Sequence, residues 1–72
     1  MNGAIEAVFI IILNVTALGH TANIVPDDPR FQVAYLSEAE CRKTIPAVRR
    51  AVSIPSLATL NLVTCRRLEI RQ

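Results

Sequence analysis

Cys41 and Cys65 are the two side chains of this 72-residue chain whose chemistry would alter its covalent structure. They are even in number and show no CxxC spacing. A disulfide between them closes a loop of about 25 residues and stabilises the fold by roughly 3–4 kcal/mol on the chain-entropy estimate. The alternative is a pair of separate buried thiols, because free cysteine packs as a small hydrophobe. The disulfide reading carries a location with it: cytosolic thiols stay reduced, so a bond implies an exported chain. Cys41 as a nucleophile would gain from a helix N-terminus and from Arg42 and Lys43, all of which lower a thiol pKa, but it lies on an apolar stripe with a more ordinary partner at hand. His20 is the only histidine, and no Asp or Cys is placed beside it to make a general base or a ligand set. The cysteine spacing matches none of the common structural zinc sites. Asp27 and Asp28 are adjacent but lack further acids at calcium-loop spacing, so they read as a solvated turn. Ser37 reads as a helix cap, and Ser53 and Ser56 as turn residues. Gly3 and Gly19 are the only glycines, too few and too far apart for a phosphate-cradling loop. Catalytic, cofactor-binding and metal-binding residues are therefore expected to be none, and an enzyme is not expected.

Charge is the second chemical signal. Residues 1–40 hold Arg30 against Glu6, Asp27, Asp28, Glu38 and Glu40, a net of −4, whereas residues 41–72 hold seven basic residues against Glu69, a net of +6. Six of the seven come as adjacent pairs: Arg42-Lys43, Arg49-Arg50 and Arg66-Arg67. These six are the candidate contacts to an anionic partner, either a protein or a membrane surface, and arginine's planar fork suits carboxylate and phosphate. Set against this is the plain reading of a solvated basic face that keeps a small protein soluble. Nucleic acid is disfavoured as a partner, because the basic half carries no aromatic platform for stacked bases.

The elements that position these residues follow from periodicity. Ser37-Glu38-Ala39-Glu40 has the form of a capping box, with Leu36 and Cys41 set to make the accompanying apolar contact. Cys41, Ile45, Val48 and Val52 then recur in steps of four, three and four, one stripe of an amphipathic helix spanning 36–52. Pro46 removes one backbone bond from that helix, so a kink is expected there. Phe31 to Leu36 reads as a short strand, with Phe31, Val33 and Tyr35 on one face. Thr59 to Ile70 reads as another, with Leu60, Leu62, Leu68 and Ile70 on one face and Val63 and Cys65 on the other. If Cys65 meets Cys41, the Val63 face looks at the helix unless a bulge near Arg66-Arg67 changes the phase. The run Ala4 to Leu18 has three readings: an export signal cleaved near residues 19–22, an uncleaved anchor, though about 15 apolar residues fall short of a span, or a buried strand. Residues 23–30, with Pro26-Asp27-Asp28-Pro29, read as a turn-rich connector.

Strand, helix and strand in that order make an α+β fold, a small β-α-β unit over residues 31–72. One amphipathic helix packs on a sheet of two or three strands, preceded by the apolar N-terminal segment 1–22 and the connector 23–30. The crossover is expected to be parallel and right-handed. A core this small, with Phe9, Phe31 and Tyr35 its only aromatic residues, needs help from outside packing, and the disulfide is the available device.

The run of elements through Phe31–Leu36, Ser37-Glu38-Ala39-Glu40-Cys41 and Leu62-Val63-Thr64-Cys65 resembles very short uncharacterised bacterial or phage-borne exported proteins. These pair a strand, a helix with an early cysteine and a second strand with another cysteine. The resemblance implies an exported location and no activity. The sequence expectation is thus a small exported, disulfide-stapled interaction module. The alternatives are a membrane-associated microprotein that keeps its N-terminal segment and modulates a membrane protein, and a cytosolic basic protein with free thiols and weak nucleic-acid contact.

Overall fold

The computed structural model describes residues 5–71, with side chains for 6–70; Ala4 of the N-terminal run, and Gly3, lie outside the described residues. The apolar run forms strand β1, Ile5–Ala17, which pairs on one edge with β2, His20–Ile24, and on the other with β3, Ala58–Arg71. Of the three readings of that run, the strand is the one observed. Its Val-Phe-Ile-Ile-Ile core suits a pleated surface whose side chains alternate between faces. The sheet is antiparallel with order β2-β1-β3. Because β2 and β3 each run opposite to β1, they run parallel to one another with β1 between them, a split form of the β-α-β unit.

The crossover helix α1 spans Glu38–Ala51. The Ser37 hydroxyl accepts from the Glu40 amide at 3.1 Å, which satisfies one of the four free donors at the helix start. The expected apolar contact of Leu36 does not form: Leu36 is 85% exposed, while Cys41 is fully buried. A cap already fixes the chain's entry angle, and Cys41 is drawn inward by its bond. Pro46 stands on the exposed side of α1, which runs through it from Glu38 to Ala51 as one helix.

Two expected features are corrected. Phe31–Leu36 is not a strand. Asp28 caps a single 3-10 turn, Pro29–Phe31, and Pro29 pre-sets the backbone dihedral that such a turn needs. Phe31 is swung into the core while Val33 stays 44% exposed. Only Tyr35 reaches the sheet, in an isolated antiparallel bridge to Phe9 with two backbone bonds of 2.8 Å. The strand that precedes the helix in the crossover is therefore β2, inside what reads from sequence as N-terminal segment and connector. The bulge is also elsewhere. The register steps from Asn14↔Leu62 to Val15↔Leu60, so Asn61 is the extra residue. Leu60 consequently returns to the helix side with Val63 and Cys65, while Leu62, Leu68 and Ile70 stay on the other face.

The β1–β2 connection is a two-residue loop, Leu18-Gly19, with both φ values positive, 53° and 80°. That matches the tight turn that follows the right-handed twist of a hairpin. Glycine adopts such a φ without strain, whereas Leu18 does so at a cost and remains 80% exposed.

The main core cluster lies on one face of the sheet, while Ile12, 6% exposed, is buried on the other. Ile11 and Leu13 of β1, Val63 of β3, Cys41 and Val48 of α1, and Phe31 pack together, with Phe9, Val15, Ile45, Val52 and Leu60 around them. The molecule measures 51 × 24 × 17 Å. A 13-residue strand is about 43 Å long and a 14-residue helix about 21 Å, so the helix covers only about half of the sheet's length.

Candidate functional site

The disulfide fixes the geometry of everything basic. Cys41 and Cys65 are bonded, with Cα atoms 6.1 Å apart, inside the ordinary range for a bridge. Cys41, in the first turns of α1, is thereby held over the middle of β3, where Cys65 stands opposite Ile11 of β1. At about 100° per residue, Cys41, Ile45, Val48 and Val52 share the inward arc of α1. Lys43 and Arg50 then point directly away from the sheet, and Arg42 and Arg49 run along the flank one turn-pair apart. All four are exposed. Arg42 is paired with Glu38 one turn earlier, Nη2 to Oε2 at 2.6 Å. Among the described residues, Lys43, Arg49 and Arg50 enter no ion pair. The last-turn arginines also suit the negative end of the helix dipole.

Arg66 and Arg67 are adjacent in sequence but face opposite ways. Arg67, opposite Phe9, lies on the helix side and is paired with Glu69 on its own strand. Arg66, opposite Ile10, lies on the bare face. The structure therefore gathers four of the six expected contacts onto α1 and divides the other two between the faces of β3.

Arg30, which sequence reasoning left aside, is the most engaged cation in the described residues. Its side chain donates from Nε to both Asp28 carboxylate oxygens at 3.1 and 3.0 Å and from Nη2 at 2.6 Å, while its backbone amide donates to Oδ1 at 3.0 Å. The guanidinium also sits over the Phe31 ring, 5.2 Å from its centroid, a cation–π placement. Hydrogen bonds from the Arg30 side chain, then from its backbone amide, hold the Asp28 carboxyl below the usual aspartate range. The same contact pushes Arg30 upward. The spacing Asp28-Pro29-Arg30 is the signal that foreshadows this clasp.

A groove of about 500 Å³ opens beside that turn, walled by Leu13, Val15, Ile24, Val25, Phe31, Val52 and Ile54 with Asp27 and Asp28 at its rim. Its lining comes from three separated stretches of the chain, 13–15, 24–31 and 51–55, so no local sequence pattern announces it. The bare face of the sheet has its own order. Asn61, the bulge residue, donates to Asn14 Oδ1 at 3.0 Å and Thr16 Oγ1 at 2.7 Å. Asn14 donates to Asn23 at 2.9 Å, and the Thr16 and Thr21 hydroxyls meet at 2.8 Å. These polar side chains link all three strands at the hairpin end, with Leu62 beside Asn14, while Val8, Ile10, Ile12, Thr64, Arg66, Leu68 and Ile70 lie farther along that face.

His20 is exposed at the start of β2, and Ser53 and Ser56 are exposed after the helix. Among the described residues, no group of three or more His, Cys, Asp or Glu side chains could hold a metal ion. No helix of the described residues is long and apolar enough to cross a membrane. Comparison with protein-family models, curated proteins and solved structures finds no match to this chain.

Proposed function

We propose that this chain is a small binding module of an oxidising, exported compartment, and that it presents the outer face of α1 to an anionic protein or membrane surface. The observation that carries the proposal is the arrangement of Arg42, Lys43, Arg49 and Arg50. Lys43 and Arg50 point away from the core and Arg42 and Arg49 line the flank of the helix, and of the four only Arg42 has an acidic neighbour in an ion pair. Lys43, Arg49 and Arg50 are not neutralised by an acid among the described residues and so remain available to a partner, and together with Arg42 they create a local positive field. The disulfide supports the oxidising location. It also keeps the helix from peeling off a sheet that it covers only in part.

Binding to vesicles tests the reading. The protein should sediment with vesicles containing anionic phosphatidylserine, or bind an acidic polypeptide such as polyglutamate, and should ignore neutral phosphatidylcholine. Added salt should weaken the contact steeply, because exposed charges are screened beyond about 8 Å at physiological ionic strength. The double variant Lys43→Glu/Arg50→Glu should abolish it, with the fold intact. Equal binding by that variant, or binding to neither anion at low salt, contradicts the proposal.

A further inference from the structure

The far edge of β3 is unpaired along the described residues, and its sequence is self-complementary in one alignment. Phe9 exchanges both backbone bonds with Tyr35 on the β2 side of β1, so its pairing with Arg67 on the other side is of the kind without backbone bonds. Arg67 therefore turns its amide and carbonyl outward, and by the two-residue alternation so do Val63, Cys65 and Glu69. An exposed edge of this kind is a template for another strand.

We infer that a second copy of this chain fills that edge, β3 against β3 antiparallel about a two-fold axis at Leu68. An antiparallel ladder must match outward residues with outward residues, which leaves few registers. Setting Arg67 opposite Arg67, or Glu69 opposite Glu69, faces like charges directly, and the register that centres on Arg66 stacks two arginines. Registers centred on Thr64 or Cys65 set Arg67 against Asn61 or Val63 and gain no ion pair. The register centred on Leu68 places Arg67 of each copy opposite Glu69 of the other, twice by symmetry. On the bare face it sets Leu68 against Leu68 and the aliphatic stem of Arg66 against Ile70. Leu68 and Ile70 are 40% and 45% exposed in the single chain, and the union merges two small apolar patches into one.

The result is a continuous six-stranded sheet with both helices on the same side. A strand pair of this length falls short of the roughly 1,200 Å² at which standard interfaces begin, so the dimer is weak and concentration-dependent. Its consequence for binding is bivalence: two basic helix faces point the same way, and the second contact becomes intramolecular. The dimer itself does not depend on that use.

Sedimentation equilibrium across micromolar to millimolar protein tests it. The natural chain should pass from monomer to dimer. Arg67→Glu alone and Glu69→Arg alone should each weaken dimerisation about tenfold or more, because both cross-strand pairs become repulsive. The double exchange Arg67→Glu/Glu69→Arg should restore it, with circular dichroism checking the fold of every variant. Cross-linking then fixes the register. Two copies of Leu68→Cys meet with Cα atoms about 4.5 Å apart and should oxidise to a covalent dimer, whereas Ile70→Cys, which faces Arg66, should not. A natural chain that stays monomeric throughout, a double exchange that fails to restore the dimer, or equal cross-linking at 68 and 70 each overturns the inference.

Discussion

The sheet has two lengths of different character, and Cys65 marks the border between them. From Ile11/Cys65 to Val15/Leu60 the strands lie beneath α1, and from Leu13 onward the sheet is three strands wide, with Ile11, Leu13, Cys41, Val48 and Val63 at most 4% exposed. From Ile5/Arg71 to Val8/Leu68 the same two strands continue as a ribbon with no third strand and no helix above, and Leu68 and Ile70 are half in water. β1 and β3 pair antiparallel along both lengths. The difference teaches that here it is burial and the covalent tie that distinguish a core from a ribbon, since an isolated two-stranded ribbon is only marginally stable.

The contrast is broken most severely at the tie itself. Replacing both cysteines with alanine should cost about 3–4 kcal/mol, read from urea unfolding, and reduction of the natural protein should lower the midpoint similarly. The same chemistry applied to each length sharpens the comparison: Ile11→Ala should lose about 3 kcal/mol through the cavity it leaves, and Ile70→Ala less than about 1 kcal/mol. Equal losses at the two positions would mean that the ribbon is packed as tightly as the core. Removing the helix cap with Ser37→Ala should cost about 1 kcal/mol, seen as a lower thermal midpoint. At the hairpin, Leu18→Asn should raise stability by about 1 kcal/mol, because asparagine tolerates the left-handed backbone better than leucine. The smallest effect is that of pH on the Asp28–Arg30 clasp. The Asp28 pKa is depressed in the fold, so its contribution is fully present above the ordinary aspartate range and is lost as pH falls through the folded value. Asp28→Asn should flatten that part of the acid-unfolding profile.

How much of this was legible depends on how local each signal is. The helix was readable because Ser37 and Glu40 mark its start and Cys41, Ile45, Val48 and Val52 repeat at helical spacing. The cysteine pairing followed because one partner sat on that stripe and the other on a strand. β2 was obscured: His20-Thr21-Ala22-Asn23 is mostly polar and exposed at every position, so nothing in its composition separates an edge strand from a connector. Its turn was hidden for a related reason, since Leu18-Gly19 lacks the asparagine or aspartate that usually precedes glycine in a tight hairpin. Phe31–Leu36 alternates like a strand, but Pro29 and the Asp28 cap bend the chain and leave only Tyr35 to pair. Asn61 as the bulge was not visible either, because a bulge is a property of two aligned strands. Among the basic residues, the sequence grouped six, and only helical geometry separates the four on α1 from the pair that β3 splits between its faces.

The bond between Cys41 and Cys65 carries the account, and mass spectrometry reads it directly. The native protein, unfolded in guanidinium without reductant and treated with iodoacetamide, should take up no label and weigh two hydrogens less than the reduced chain. Uptake of two carbamidomethyl groups without reductant would contradict the account. It would show two free thiols and leave the helix without its covalent hold on β3.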